Sequence, residues 1–329
     1  MNKKKLISIV LAGVIIAIGC VVYATMKPTS YNQIQKDGSA STPITSNDVR
    51  FLERQNLGYP FWIVEAKGYF EQTNFDRSLQ RINPDTNTDF SLWVRENMDV
   101  GILSLDELLK IEEKYPSSLR AIFFIYDTDT EYSSNIVVKK GSNITTVKSL
   151  SGKRLAVETD IEKFLLRNYL EANSITDYQI SKILRQDHGK QLETNLIDAS
   201  WTTEPYASKL VVDGIGEVLT KNPNNNPASD VSQAPYGVIV VNNDYYNREP
   251  VIVDSLVKSL KMALEVTETE QRKIMKDHLG ESWAQIVTNR TFAKISTTED
   301  INKPLLQQLA DKMYENGFTE TRVETANLF

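Results

Sequence analysis

Cysteine occurs once in 329 residues and histidine twice. A single cysteine excludes an intramolecular disulfide framework, and two histidines leave little scope for a His-rich metal centre. The chain has no G-x-S-x-G elbow, no glycine-rich phosphate loop and no cluster of residues at metal-ligand spacing, so no catalytic residue, metal or cofactor is expected. A basic excess is also missing. The net charge of −6 argues against nucleic acid as a partner. What remains, 41% hydrophobic and 24% charged residues, excludes both a polytopic membrane protein and a disordered chain. The length is enough for about two domains.

The charge is unevenly distributed. Residues 1–27 hold Lys3, Lys4, Lys5 and Lys27 and no acid, so the rest of the chain carries −10. Between Lys5 and Lys27 lie 21 uncharged residues, Leu6 to Met26, about the length that spans a bilayer core as a helix. Three fates fit. An uncleaved anchor would keep the lysine triplet in the cytoplasm. A cleaved signal could end at Val22-Tyr23-Ala24, although its apolar core would be unusually long. A lipoprotein would be acylated at Cys20, since Ala17-Ile18-Gly19-Cys20 is similar to a lipobox. Each places the acidic body outside the cytoplasm, and two of them attach it to the membrane. Residues 28–47 are mostly polar, without periodicity, and read as a flexible tether.

From Asp48 onward, β-branched runs alternate with helical patterns, which predicts an α/β fold with largely parallel sheets. Strands are expected at Val49–Glu53, Val100–Leu103, Ala121–Tyr126, Asn135–Lys139, Arg154–Glu158, Ala199–Thr202 and Gly237–Val241. A helix should start near Tyr59, with Pro60 in its first turn, and stop at Gly68. Two units look alike: a helix closed by Asn97 and followed by Asp99 and a strand, and a helix closed by Asn195 and followed by Asp198 and a strand. They hint at two similar lobes. Beyond Pro250 the pattern is helical throughout, with Val253, Leu256, Val257, Leu260 and Leu264 on one face.

Several stretches together resemble one family. Tyr59 to Phe70 (YPFWIVEAKGYF) is similar to the opening helix of solute-binding proteins of ABC importers in the nitrate, sulfonate, taurine and thiamine-precursor group. Asn97 to Gly101 (NMDVG) resembles the family's G-x-D-V-G strand start. Val137 to Lys140 with Val147 to Lys153 resembles its VVKK…VxDLKGKKVAV segment, and Phe164 to Leu166 with Leu170 its next helix. Ile197 to Ala199 with Glu204-Pro205-Tyr206 resembles its vDA…WEP motif, and Gly237 to Tyr246 with Pro250 its returning strand. The likeness covers about residues 50–290. It implies a type II periplasmic binding protein: two α/β lobes joined by a two-strand hinge near 134–139 and 236–241, with C-terminal helices. Lobe 1 would be 48–136 plus 237–329 and lobe 2 would be 137–236. A small-molecule ligand, and the permease and ATPase subunits of an ABC transporter, are the implied partners. A sensor input module is an alternative. So is a thiamine-pyrimidine-synthase-like enzyme, for which His188, expected on a surface loop, is the only suitable histidine, since His278 is expected on an exposed helix.

Ligands of open α/β sheets sit beyond the carboxyl ends of strands and at helix N-termini. That places 57–62, 104–106, 126–128, 159–160, 201–204 and 233–236 at the cleft. The candidate ligand-binding residues are Tyr59, Trp62, Ser104, Asp127, Thr159, Asp160, Trp201 and Glu204. Thr159-x-x-Glu162 is also a capping box. Glu158, Asp160 and Glu162 together would repel an anion. If Trp62 and Trp201 face each other they could sandwich a flat or cationic ligand, with Glu204 or Asp127 accepting its hydrogen bonds. The expected ligand is therefore a small neutral or cationic heterocycle. Trp201 stands two positions earlier than the family's tryptophan, which shifts its ring by roughly 7 Å along an extended segment.

Overall fold

The computed structural model describes residues 48–54, 57–84 and 88–329. The expected anchor or signal segment, Cys20 and the tether lie outside these residues. Among the described residues no helix is long and apolar enough to cross a membrane. The described residues form one compact unit.

Strands β1 (Asp48–Leu52), β2 (Ser78–Ile82), β3 (Val100–Ser104) and β4 (Leu119–Tyr126) alternate with helices in the first lobe. The chain then crosses to a second lobe containing β5 (Ser134–Lys139), β6 (Lys153–Val157), β7 (Tyr178–Lys182), β8 (Ala199–Thr203) and β9 (Gly216–Lys221). It returns as β10 (Gly237–Asn242) and β11 (Lys294–Thr297). The sheets run β11-β4-β10-β3-β1-β2 and β7-β6-β8-β5-β9. In each, the strand entering from the other lobe is antiparallel to both its neighbours: β10 between β3 and β4, and β5 between β8 and β9. The remaining central pairs, β1 with β2 and β3, and β6 with β7 and β8, are parallel. Parallel strands need helical crossovers, which cover both sheet faces. This explains why β10 is buried along its whole length and is apolar up to Asn242.

All seven expected strands are present. Four others, β2, β7, β9 and β11, were not legible, and each stands at or beside a sheet edge. Both β2 and β7 are mostly exposed or half-buried and mix polar with apolar residues, so they lack the apolar signal. The last corrects the expectation that everything after Pro250 is helical: Lys294–Thr297 pairs with β4. The helix Tyr59–Lys67 closes on Gly68 at φ 63°, a left-handed conformation in which glycine avoids a Cβ clash. Asn195 is likewise left-handed, with φ 55°. Asn97 is not: it stays helical and its Nδ2 donates to the Trp93 carbonyl.

The likeness of the two units has a structural basis. Arg50 on β1 donates from its amide, Nε and Nη2 to Asp99, at 2.8–3.0 Å. Arg154 on β6 makes the same three bonds to Asp198, at 2.9–3.0 Å. One fork ties β1 to the start of β3, and the other ties β6 to the start of β8.

The lobes are joined by the segments 127–133 and 222–236. Strands β5 and β10, placed at the hinge from sequence, lie inside the sheets instead. The Asn222 amide donates to the Ser134 carbonyl, its Nδ2 donates to the Thr128 carbonyl at 2.6 Å, and the Tyr236 hydroxyl donates to Asp127 at 3.1 Å. The two crossings are therefore bonded to each other.

Candidate functional site

The carboxyl ends of β3, β6, β7 and β8 converge between the lobes, and a cavity of about 300 Å³ lies there. One wall carries Arg54, Leu57, Ser104, Asp106, Glu107 and Lys110. The other carries the stretch from Glu158 to Glu162 with Lys182, Leu184, Arg185 and Thr203, and Tyr236 comes from the returning crossing.

Helix N-termini build much of both walls. Thr159 caps the helix Asp160–Ala172: its side chain accepts from the Glu162 amide at 3.2 Å, while the Glu162 carboxylate accepts from the Thr159 amide at 3.3 Å. Ser104 stands at the corresponding place in the first lobe, before the helix Leu105–Lys114, and its amide donates to Glu107 at 2.9 Å.

The charges in the cavity are largely paired. Arg185 is 6% exposed and reaches Glu158 at 2.7 Å, Glu162 and the Thr203 hydroxyl. Burial alone would raise Glu158, but Arg185 overrides it and holds the carboxyl below its ordinary range. Glu162, more deeply buried, stays raised in spite of Arg185. Asp160 is bonded by Lys182 at 2.7 Å and by Lys110, which reaches over from the first lobe. Desolvation pushes Asp160 up, yet these two lysines carry it below the usual carboxylate value. Arg54 pairs with Glu107. Asp106 differs. It is 4% exposed, and burial raises its pKa, with Glu107 adding to the effect and a side-chain hydrogen bond from Ser104 opposing it.

Of the residues expected at the site, the structure brings Ser104, Thr159 and Asp160 together on this cavity. Tyr59, Trp62, Asp127, Trp201 and Glu204 do not line it. Trp62 is buried in the first lobe, where it donates to Glu53 at 2.6 Å and stacks on His278 with centroids 4.2 Å apart. Trp201 is 1% exposed, opposite Ile136 in the second sheet, so the two tryptophans do not form a sandwich. Asp127 is fully buried and accepts from the Ser133 amide, from Ser134 and from Tyr236, which leaves it occupied within the hinge. Glu204 accepts from the Ser208 amide at 3.1 Å and is raised by burial. Tyr59 borders a different cavity beside Phe292, and its hydroxyl donates to the Ala293 carbonyl at 3.4 Å. Burial lowers the pKa of Arg290 to about 10, against the opposing charge interactions of Glu204, Tyr59 and Tyr236.

His188 corrects the surface-loop expectation. It is 1% exposed, with Nδ1 2.7 Å from the Ser200 hydroxyl and Nε2 3.1 Å from the Ile183 carbonyl, and burial lowers its pKa to about 4. Sequence reasoning placed 104–106 at the cleft without singling out Asp106, and it missed Arg54, Lys110, Lys182 and Arg185. For Arg54, Lys182 and Arg185 the only available signal was their position at or just past strand ends, and Lys110, in the second turn of its helix, had none.

Two α/β lobes, two crossing segments and a polar cavity between them define the two-lobe periplasmic-binding class. Among solved structures the chain is similar to the periplasmic aliphatic sulphonate-binding protein SsuA of Escherichia coli, at 15% identity over 87% of this chain and 92% of that one, with a TM-score of 0.67. It is similar also to the alkanesulfonate-binding protein SsuA of Xanthomonas axonopodis pv. citri bound to MOPS, at 17% identity over 87% and 98%, with a TM-score of 0.69. The desulfurization enzyme DSZB shares the fold too, at 13% identity over 86% and 96%, with a TM-score of 0.62. No curated protein matches by sequence. The chain belongs to the NMT1/THI5-like family, whose model matches residues 59–273.

Proposed function

We propose that this protein is the extracytoplasmic solute-binding component of an ABC importer, which holds a small polar ligand between its lobes and delivers it to permease and ATPase subunits. The observation that carries this reading is the cavity itself, since both lobes supply charged side chains to it and a ligand there would bond both at once. Family membership and the shared fold with two sulphonate-binding proteins support it. The lysine-flanked apolar segment at the N-terminus supports export and attachment at the outer face of the membrane.

The carboxylates of the Glu158–Glu162 turn do not stand as free repulsive charges, because Arg185, Lys110 and Lys182 pair with them. The same pairs leave none of these cations free for an anion. Arg54, Lys110, Lys182 and Arg185 face five lining carboxylates, an acid excess of one. This favours a neutral or cationic ligand. Stacking loses its support, because Tyr236 is the only aromatic side chain among the described lining residues.

Native mass spectrometry of the full chain, purified without denaturation, tests the reading. A small molecule is expected to leave on unfolding. Leu184 lines the cavity yet is 59% exposed, so Leu184→Trp should block binding without disturbing the core. Ligand at 100 times its Kd should stabilise the protein by about 2.7 kcal/mol, and the tryptophan variant should lose that gain. If nothing co-purifies and amines, sulfonates and pyrimidines all leave the melting temperature unchanged, the reading fails.

A further inference from the structure

Among the described lining residues of the inter-lobe cavity, only Tyr236 stands on a crossing segment. Its backbone is fixed in the first lobe: the amide donates to the Ile125 carbonyl and the carbonyl accepts from the Leu105 amide, both at 3.0 Å. Its hydroxyl lies in the hinge and donates to Asp127 Oδ1 at 3.1 Å. That leaves the Ser133 hydroxyl, 2.6 Å away, to donate to the Tyr236 oxygen. Asp127 directly follows β4 and is fully buried. Its Oδ1 also accepts from the Ser133 amide at 2.8 Å, and its Oδ2 accepts from the Ser134 amide at 3.3 Å and from the Ser134 hydroxyl. The Ser133 carbonyl in turn accepts from the Glu204 amide at 2.9 Å and from Asn135 Nδ2 at 3.0 Å. One buried network therefore runs from the end of the first lobe's sheet, at Asp127 and Tyr236, to the entry of the second lobe, at Ser133 and Ser134.

We infer that Tyr236 is a positioning residue: its hydroxyl ties Asp127 to Ser133, and this tie sets the angle at which the two walls of the cavity face each other. A hinge turns through φ and ψ changes in a few residues at the ends of elements. Turning the second lobe carries Ser133 and Ser134 away from Asp127 and from the Tyr236 hydroxyl. These groups are buried, so a bond lost there is not replaced by one to bulk water, and the arrangement that keeps all of them is favoured. The Lys110–Asp160 pair also joins the lobes, but it spans the cleft and is partly exposed. The Tyr236 tie sits at the pivot, where a small displacement becomes a large one at the cavity. Because the ring of the same residue forms part of the cavity wall, a solute that touches it touches the group that holds the hinge. The inference goes beyond the solute-binding reading, since it says what fixes the lobes with or without solute.

Electron-resonance distance measurements test this in the full chain without added ligand, with Cys20→Ser and spin labels on Lys190→Cys in the second lobe and Lys258→Cys in the first, both exposed positions. Tyr236→Phe keeps the ring in the wall and removes only the hydroxyl. It should raise the ratio of displaced to native inter-lobe distances about 10-fold, the order of one buried hydrogen bond. Asp127→Asn should also widen the distribution, and the double variant should fall well short of the product of the two effects, because both remove the same bond. Ser133→Ala, which spares the amide bond to Asp127, should widen it less, and it replaces Asp127→Asn in the cycle if that variant does not fold. Tyr59→Phe removes another buried hydroxyl of the first lobe, one bonded to the Ala293 carbonyl, and should leave the distances unchanged even if it lowers the melting temperature. Circular-dichroism melting of each variant confirms that it is folded. A wild-type distribution in folded Tyr236→Phe overturns the inference, as does equal widening in Tyr59→Phe or a double variant that reaches the full product. Each of these outcomes leaves the solute-binding reading intact, which native mass spectrometry decides separately.

Discussion

Asp99 and Asp198 stand at corresponding places in the two lobes, and each is held by three donors of an arginine about 45 residues earlier in the chain. The sequence marked both aspartates as parts of family motifs without saying what they do. Their partners lie on strands that become neighbours only when the sheet forms. Asp99 is 4% exposed, and Arg50 is less exposed than Arg154, so the first fork is the better shielded. Asp99→Ala should cost about 2 kcal/mol in urea unfolding, the order of a charged hydrogen bond, and Asp198→Ala distinctly less. Equal losses would mean that shielding does not set the difference. His188 carries a second prediction. Its pKa is lowered from 6.5 to about 4 by burial and by Arg185. Its neutral form therefore contributes stability above pH 6.5 that is lost as pH falls toward 4, by about 3 kcal/mol in all. Buried carboxylates with raised values, such as Asp106, Asp127 and Glu204, act in the opposite direction. The difference between wild type and His188→Gln isolates the histidine. The variant should be less stable at pH 7 and should show a shallower loss between pH 6.5 and 4.

At the scale of elements, a strand was legible to the degree that it is buried. Strands covered on both faces, such as β3, β4 and β10, are mostly β-branched or apolar and stand out against their surroundings. Strands at or near the edges, such as β2 and β7, owe their pairing to an adjacent strand and not to their own composition. Helix caps were legible for a different reason: Thr159 with Glu162, and the glycine at 68, act over three or four residues, so sequence proximity is spatial proximity. Gly216, which begins β9, shows what was not. A Cβ there would lie 2.5 Å from Val137 Cγ1 and 3.3 Å from the Val138 carbonyl of the paired strand. Gly216→Ala should cost about 1–3 kcal/mol by forcing those neighbours apart. Gly214→Ala has nothing within 4 Å of the new Cβ, so only its φ of 73° opposes it. Chemical denaturation of the pair separates crowding from backbone strain.

For the whole molecule, several side-chain cross-links join the lobes, among them Trp283, which meets Tyr206 edge-on at 6.4 Å and lies under Lys209. Lys110 bonds Asp160 from one lobe to the other, and Phe318, beyond the last long helix, meets Phe164 edge-on at 5.9 Å. The first is a partly exposed ion pair and is weakened by salt. Lys110→Met should therefore widen the distribution of inter-lobe distances measured between spin labels on the two lobes without ligand, and the wild type should move the same way in 1 M salt. An unchanged distribution would show that the pair does not hold the lobes.

By itself the sequence determined the fold class, the central strands, the local caps and the split between a basic N-terminal segment and an acidic body. These follow from hydrophobic periodicity, from bonds over a few residues and from counting charge. The tertiary structure decided which polar residues share a cavity. It moved Trp62, Trp201, Asp127, Glu204 and Tyr59 into the core, the hinge or another cavity, and it set Arg54, Asp106, Lys110, Lys182 and Arg185 beside Ser104, Thr159 and Asp160. A carboxylate reads the same in a sequence whether it is free or paired. Only the folded chain shows that Arg185 pairs with both Glu158 and Glu162 from more than 20 residues away.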